Sequence, residues 1–118
     1  MPRFLSMIRI DENNTPEGGP SPELMQRMGE LIEEMTKAGV LLDTAGLVPT
    51  ARGARVHYEG GRLSVTDGPF TESKEVIGGY ALLQAKDRAE AIEWTKRFLK
   101  VHEPHWTVTC EVREVVAG

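Results

Sequence analysis

The chain has 118 residues, enough for one hydrophobic core and too few for two, so a single domain over residues 1–118 is expected. Apolar residues at 40% and charged residues at 27% are ordinary globular proportions, which argues against a disordered or membrane-embedded class. With 14 basic against 18 acidic residues the net charge is -4, and no dense Lys/Arg block offers a face for a phosphate backbone, so nucleic acid is not expected as a direct ligand.

The chain starts without the basic-then-apolar pattern of a signal peptide, and no apolar run nears the roughly 20 residues that span a bilayer. A cytoplasmic protein with no membrane partner is the expectation. The one cysteine, Cys110, falls in an alternating apolar pattern and reads as a buried thiol.

Residues 4–10 are apolar and β-branched on both faces and predict a central strand. Residues 11–20, rich in Asn, Gly and Pro, predict a surface loop. Ser21-Pro22-Glu23 then starts a helix, with a capping hydroxyl, proline at the first helical position and an acid at the positive end of the dipole. Leu24, Met28, Leu31 and Met35 form its buried stripe with Met25 and Ile32 beside them, the methionines as adaptable core filling, and Gly39 ends it. Residues 40–47 predict a second strand.

Residues 54–58 and 62–66 flank Gly60-Gly61 and predict a β-hairpin with a tight turn. Residues 76–85 form a further strand in which Gly78-Gly79 allows a bulge or a close backbone approach. Asp87, with Glu90 three residues on, starts a second helix whose face of Ala91, Ile92, Thr95, Phe98 and Leu99 should pack on the sheet. Residues 107–113 alternate strictly and predict a half-buried closing strand, with Val108, Cys110 and Val112 toward the helices and Thr109, Glu111 and Arg113 away.

This order predicts an α+β fold, a ferredoxin-like β-α-β-β-α-β sandwich carrying an extra hairpin. Both helices cover one face of the sheet, and the other face mixes Leu5 and Met7 with Arg9. A second copy covering that mixed face predicts a homodimer enclosing a polar-lined cavity.

The sharpest local feature is Asp67-Gly68-Pro69-Phe70. Proline keeps Gly68 out of the helical region, and Asp67 has two readings. Its carboxylate either caps N–H groups of its own turn or stands at the mouth of a cavity as a base or ligand anchor, with Phe70 as an apolar wall. Arg9, Glu111 and Arg113 fall together on the open face, either as an ion-pair network or as an anion-binding cleft. His57 reads as a half-exposed strand residue or as a base reaching Asp67. His102 and His105 flank Glu103-Pro104 without further ligands, so no metal site is expected. No phosphate-binding loop, dinucleotide fingerprint or nucleophile elbow is visible, and no cofactor is expected.

The stretch 66–80, TDGPFTESKEVIGGY, resembles the signature of the YCII-related proteins, in the branch named for its DGPF motif, and weaker similarity continues through residues 87–94 and 106–113. The resemblance implies a ferredoxin-like member of the dimeric α/β-barrel group. In another branch a histidine early in the first helix partners the motif aspartate, and Leu24 stands at that place here. What carries over is Asp67 as catalytic carboxylate, followed by Phe70 and Glu72. Proximity of such genes to those of extracytoplasmic-function sigma factors implies a regulatory setting. Two functions follow: a small-molecule site in the dimer cavity, binding a small anion or running lyase- or isomerase-like proton transfer, or an interaction module docking on a sigma factor.

Overall fold

A computed structural model describes residues 1–116. Six strands and two α-helices alternate as β1 (Arg3–Ile10), α1 (Pro22–Lys37), β2 (Leu41–Gly46), β3 (Ala54–Glu59), β4 (Arg62–Asp67), β5 (Val76–Gln84), α2 (Arg88–Lys100) and β6 (Thr109–Glu114). Strands β2, β5, β1 and β6 lie side by side in that order, every pair antiparallel, and β3 pairs with β4 in a separate two-stranded ribbon. The arrangement is compatible with a ferredoxin-like fold. β1 is central, as its two apolar faces require.

The helices start where the sequence places them. Ser21 Oγ accepts from Leu24 N–H at 3.1 Å and donates to Glu103 Oε1 at 3.0 Å, which ties the start of α1 to the loop beyond α2. Asp87 Oδ1 accepts from Glu90 N–H at 2.9 Å, while Glu90 Oε1 reaches back to Lys86 N–H at 3.1 Å. α1 closes through Gly39, whose φ of 73° fits the left-handed residue expected there.

The core lies between the helices and one sheet face, around Phe4, Leu31, Met35, Val40, Leu83, Ala85 and Ala91. Ser6 and Thr95 bring a buried pair of hydroxyls into it, 3.4 Å apart. Met25 departs from the expected stripe: it is 60% exposed, because it lies one position round the helix from the buried Leu24. β6 begins two residues later than expected, which leaves Val108 outside the strand. Cys110 and Val112 do face α2, as their alternation requires.

The pairing of β1 with β5 slips between Ile8 and Arg9, so that Ile8 faces Gly79 and Arg9 faces Ile77, with Gly78 as the extra residue. A side chain at Gly79 would meet the carbonyl of Ala45 at 2.9 Å, so the glycine pair serves both a bulge and a close backbone approach. The ribbon turns at Gly60 and Gly61, both at positive φ, 58° and 78°. Its apolar side chains are largely uncovered: Val56, Tyr58, Leu63 and Val65 are between 65% and 72% exposed.

Candidate functional site

The Asp67-Gly68-Pro69-Phe70 turn is fixed by partners outside itself. Gly68 N–H donates to the Gly53 carbonyl at 2.9 Å. Phe70 N–H donates to Thr50 Oγ1 at 3.2 Å, and Thr50 hands its own hydroxyl proton to Glu12 Oε2 at 2.6 Å while its N–H donates to Glu12 Oε1 at 2.8 Å. The loop at residues 11–20 therefore does structural work through Glu12. A Cβ at Gly68 would sit 1.6 Å from the Thr50 carbonyl oxygen, so glycine is required by contact with the neighbouring loop. The Gly68–Pro69 peptide is cis.

Asp67 takes no part in this bracket. Among the described residues its carboxylate accepts no hydrogen bond and forms no ion pair, and the residue is exposed. It ends β4 opposite Ala54, which places it on the same ribbon face as Val56, Tyr58, Leu63 and Val65. The other face carries Arg55, His57, Glu59, Arg62, Ser64 and Thr66. His57 thus stands on the opposite face from Asp67, with its Nε2 4.0 Å from Glu59 Oε2, and is not placed to act on it.

Phe70 and Glu72 meet at Arg55, a residue to which no local sequence pattern drew attention. The guanidinium stacks over the Phe70 ring at 3.9 Å, pairs with Glu72 and donates to Ser73 Oγ at 2.8 Å. A hydrogen bond to its own backbone, reinforced by Arg55, holds the Glu72 carboxyl below the ordinary carboxylate range. Arg55 thereby clips the base of the ribbon to the segment that follows the turn.

Arg9, Glu111 and Arg113 do come together on the open sheet face. Arg9 donates to Glu111 Oε1 at 3.1 Å and lies 3.8 Å from Glu75, while Arg113 approaches Glu111 Oε2 at 3.9 Å. Two cations face two carboxylates, so the cluster is balanced in charge. Arg113 is the more open of the two arginines, with its side chain 73% exposed. On the same face Tyr80 donates its hydroxyl to Asp43 at 3.0 Å, and that bond, with the nearby negative charge, pushes the phenol up. No hydrogen bond or ion pair among the described residues joins this network to the Asp67 turn.

Two further titratable candidates, Cys110 and His102, lie in partly buried surroundings. Burial pushes the Cys110 thiol up, partly offset by a hydrogen bond from Ser6, which is the opposite of what an activated thiolate needs. The His102 ring is 3.1 Å from the Leu99 carbonyl through Nδ1 and packs edge-on against Phe98 and Trp106. Among the described residues no group of three His, Cys, Asp or Glu side chains is placed to hold a metal ion, and no helix is long and apolar enough to cross a membrane.

These features define a small mixed α+β domain in which a conformationally fixed loop presents an unpartnered carboxylate at the foot of an apolar ribbon. A YCII-related domain matches residues 3–116, and the chain belongs to that family. It is also similar to an uncharacterised protein of Rhizobium meliloti (strain 1021), 32% identical over 73 residues, which are 62% of this chain and 59% of that relative. The match thus spans about three fifths of the curated relative's length.

Proposed function

We propose that this chain is a member of the DGPF branch and acts as a homodimer of the dimeric α/β-barrel kind, with a small-molecule site between subunits in which Asp67 is the proton-accepting carboxylate. The supporting observation is that Asp67 is free while its turn is held by Glu12, Thr50 and Gly53. A carboxylate that neither caps its turn nor pairs with a cation keeps its lone pairs for a ligand.

The dimer supplies what the single chain lacks. Asp67 shares a ribbon face with Val56, Tyr58, Leu63 and Val65, too large an exposed apolar patch for a typical monomer surface to leave uncovered. A second copy presents Leu5, Met7 and Leu82 on its open sheet face, between Arg9 and Arg113. Laying the ribbon of one subunit on that face buries both apolar surfaces, as a self-complementary two-fold contact does. It also brings Asp67 and Phe70 toward the other subunit's Arg9, Glu111 and Arg113. An anionic group of the substrate then displaces Glu111 from Arg113, and Asp67 takes a proton from an adjacent acidic C–H without a cofactor.

Deuterium uptake from D2O into a panel of small carboxylic acids with acidic C–H bonds, followed by NMR, tests the chemistry. Wild type exchanges at least one of them and Asp67→Asn does not, with unchanged melting temperature; no exchange by wild type, or equal exchange by the variant, contradicts it. The alternative, an interaction module docking on a sigma factor, draws on the same exposed ribbon. A mass of one chain in solution, with the ribbon captured by that factor, favours the alternative.

A further inference from the structure

A second opening lies on the other side of the sheet, away from Asp67. It is a cavity of about 430 Å³ between α1, α2 and the helix-facing side of β1, β2 and β5. Its walls include Met25 and Met28 of α1 and Trp94 and Phe98 of α2, and Ser6 and Thr95 contribute its polar spot. The two helices are clamped at their outer surface, where Arg97 donates to both oxygens of Glu34 and Arg27 donates twice to the Val101 carbonyl, at 2.9 and 3.1 Å. These bridges tie the two helices together from outside the cavity, whose lining includes none of the four residues.

The lining is selective in two ways. No Asp, Glu, Lys, Arg or His is among its residues, so an ionised ligand would lose its hydration with no counter-charge in return. Three hydroxyls reach the cavity, and two are committed: Thr44 donates to the Tyr80 carbonyl at 2.9 Å and Thr95 to the Ala91 carbonyl at 2.9 Å. Ser6, 5% exposed, is left with the hydroxyl oxygen of Thr95 at 3.4 Å, a long contact for an O–H donor. A buried hydroxyl on an apolar wall, with its protein acceptor that distant, is a ready donor to a ligand oxygen. Met25, exposed at 60%, and Met28 are flexible enough to close over a bound molecule.

We infer that this cavity binds a neutral, mainly apolar small molecule carrying a single oxygen acceptor, of the size of a two-ring aromatic alcohol or a short terpenoid alcohol, with Ser6 as its hydrogen-bond donor. The volume falls within the range of small-molecule pockets. This site is separate from the one proposed around Asp67 and does not depend on it.

Calorimetric titration of the full chain at pH 7 with 1-naphthol, naphthalene and 1-naphthoate tests the inference. Naphthol binds saturably, one per chain, and naphthoate, of similar size but charged, binds at least about tenfold more weakly. Ser6→Ala weakens naphthol about fivefold and leaves naphthalene unchanged, a split that a merely structural role for Ser6 does not produce. Met28→Trp fills the space and removes binding of all three at unchanged or raised melting temperature. Absence of saturable naphthol binding, equal affinity for naphthoate, a Ser6→Ala effect equal for naphthol and naphthalene, or naphthol affinity that falls as protein concentration rises each overturns it, the last because a neighbouring chain then fills the cavity.

Discussion

Glycine at position 68 and threonine at position 50 form one device. The Thr50 carbonyl lies against the Gly68 Cα, and the Thr50 hydroxyl joins Phe70 N–H to Glu12. Gly68→Ala forces the two loops apart and costs about 3 kcal/mol in urea denaturation. Thr50→Val leaves Phe70 N–H and a Glu12 oxygen without their partner and costs about 1.5 kcal/mol. Asp67→Asn removes no hydrogen bond and shifts stability by less than about 0.5 kcal/mol. A loss for Asp67→Asn as large as that for Thr50→Val would show the carboxylate to be a turn-holding group. At Cys110 the raised thiol predicts slow labelling by a water-soluble disulfide reagent at pH 7, with the rate climbing above the pH at which an ordinary thiol has half ionised. Labelling as fast as a free thiol would contradict this.

Among the elements, the two helices are joined at their surface by Glu34 and Arg97, a two-pronged pair with one contact of 2.8 Å. The Arg97 hydrogen bond lowers the Glu34 carboxyl below its ordinary value near 4.5. A carboxyl depressed by folding stabilises at pH values above its unfolded pKa and loses that contribution as pH falls through the folded one. Arg97→Gln therefore lowers stability at pH 7, by a small margin because both groups are exposed to solvent, and leaves it nearly unchanged in acid, once the folded Glu34 carboxyl is protonated. Equal destabilisation at both pH values would contradict the assignment. Strand and helix identities were legible in the sequence because each follows from a local rule: Ser21 and Asp87 as caps, Gly60-Gly61 as a turn, alternation for β6. The bracket from Glu12 to Thr50 to Phe70 was not, since its partners are 38 and 20 residues apart and no local pattern marks them. Arg55 was missed for the same reason. That Arg9 and Glu111 share the open face was legible because strand alternation puts both there; that they meet, at 3.1 Å, was not, since they lie 102 residues apart. Met25 was misread because a methionine beside a buried stripe looks the same whether it fills the core or guards an opening.

On the scale of the whole molecule, the domain is broad and flat, 45 × 41 × 18 Å, with an apolar ribbon and a mixed sheet face both uncovered. The proposed dimer lets each subunit cover the other's surface and makes the site around Asp67 a joint product of two chains. Leu63→Asp places a charge on the ribbon's apolar face, beside Tyr58 and near the turn, where a monomer tolerates it because Leu63 is already 72% exposed. The measurement that tests this most directly is sedimentation equilibrium of wild type and Leu63→Asp at micromolar concentration, with circular dichroism to confirm that both are folded. A dimer gives a mass of two chains for wild type and one chain for folded Leu63→Asp; one chain for wild type, or two for both proteins, would rule it out.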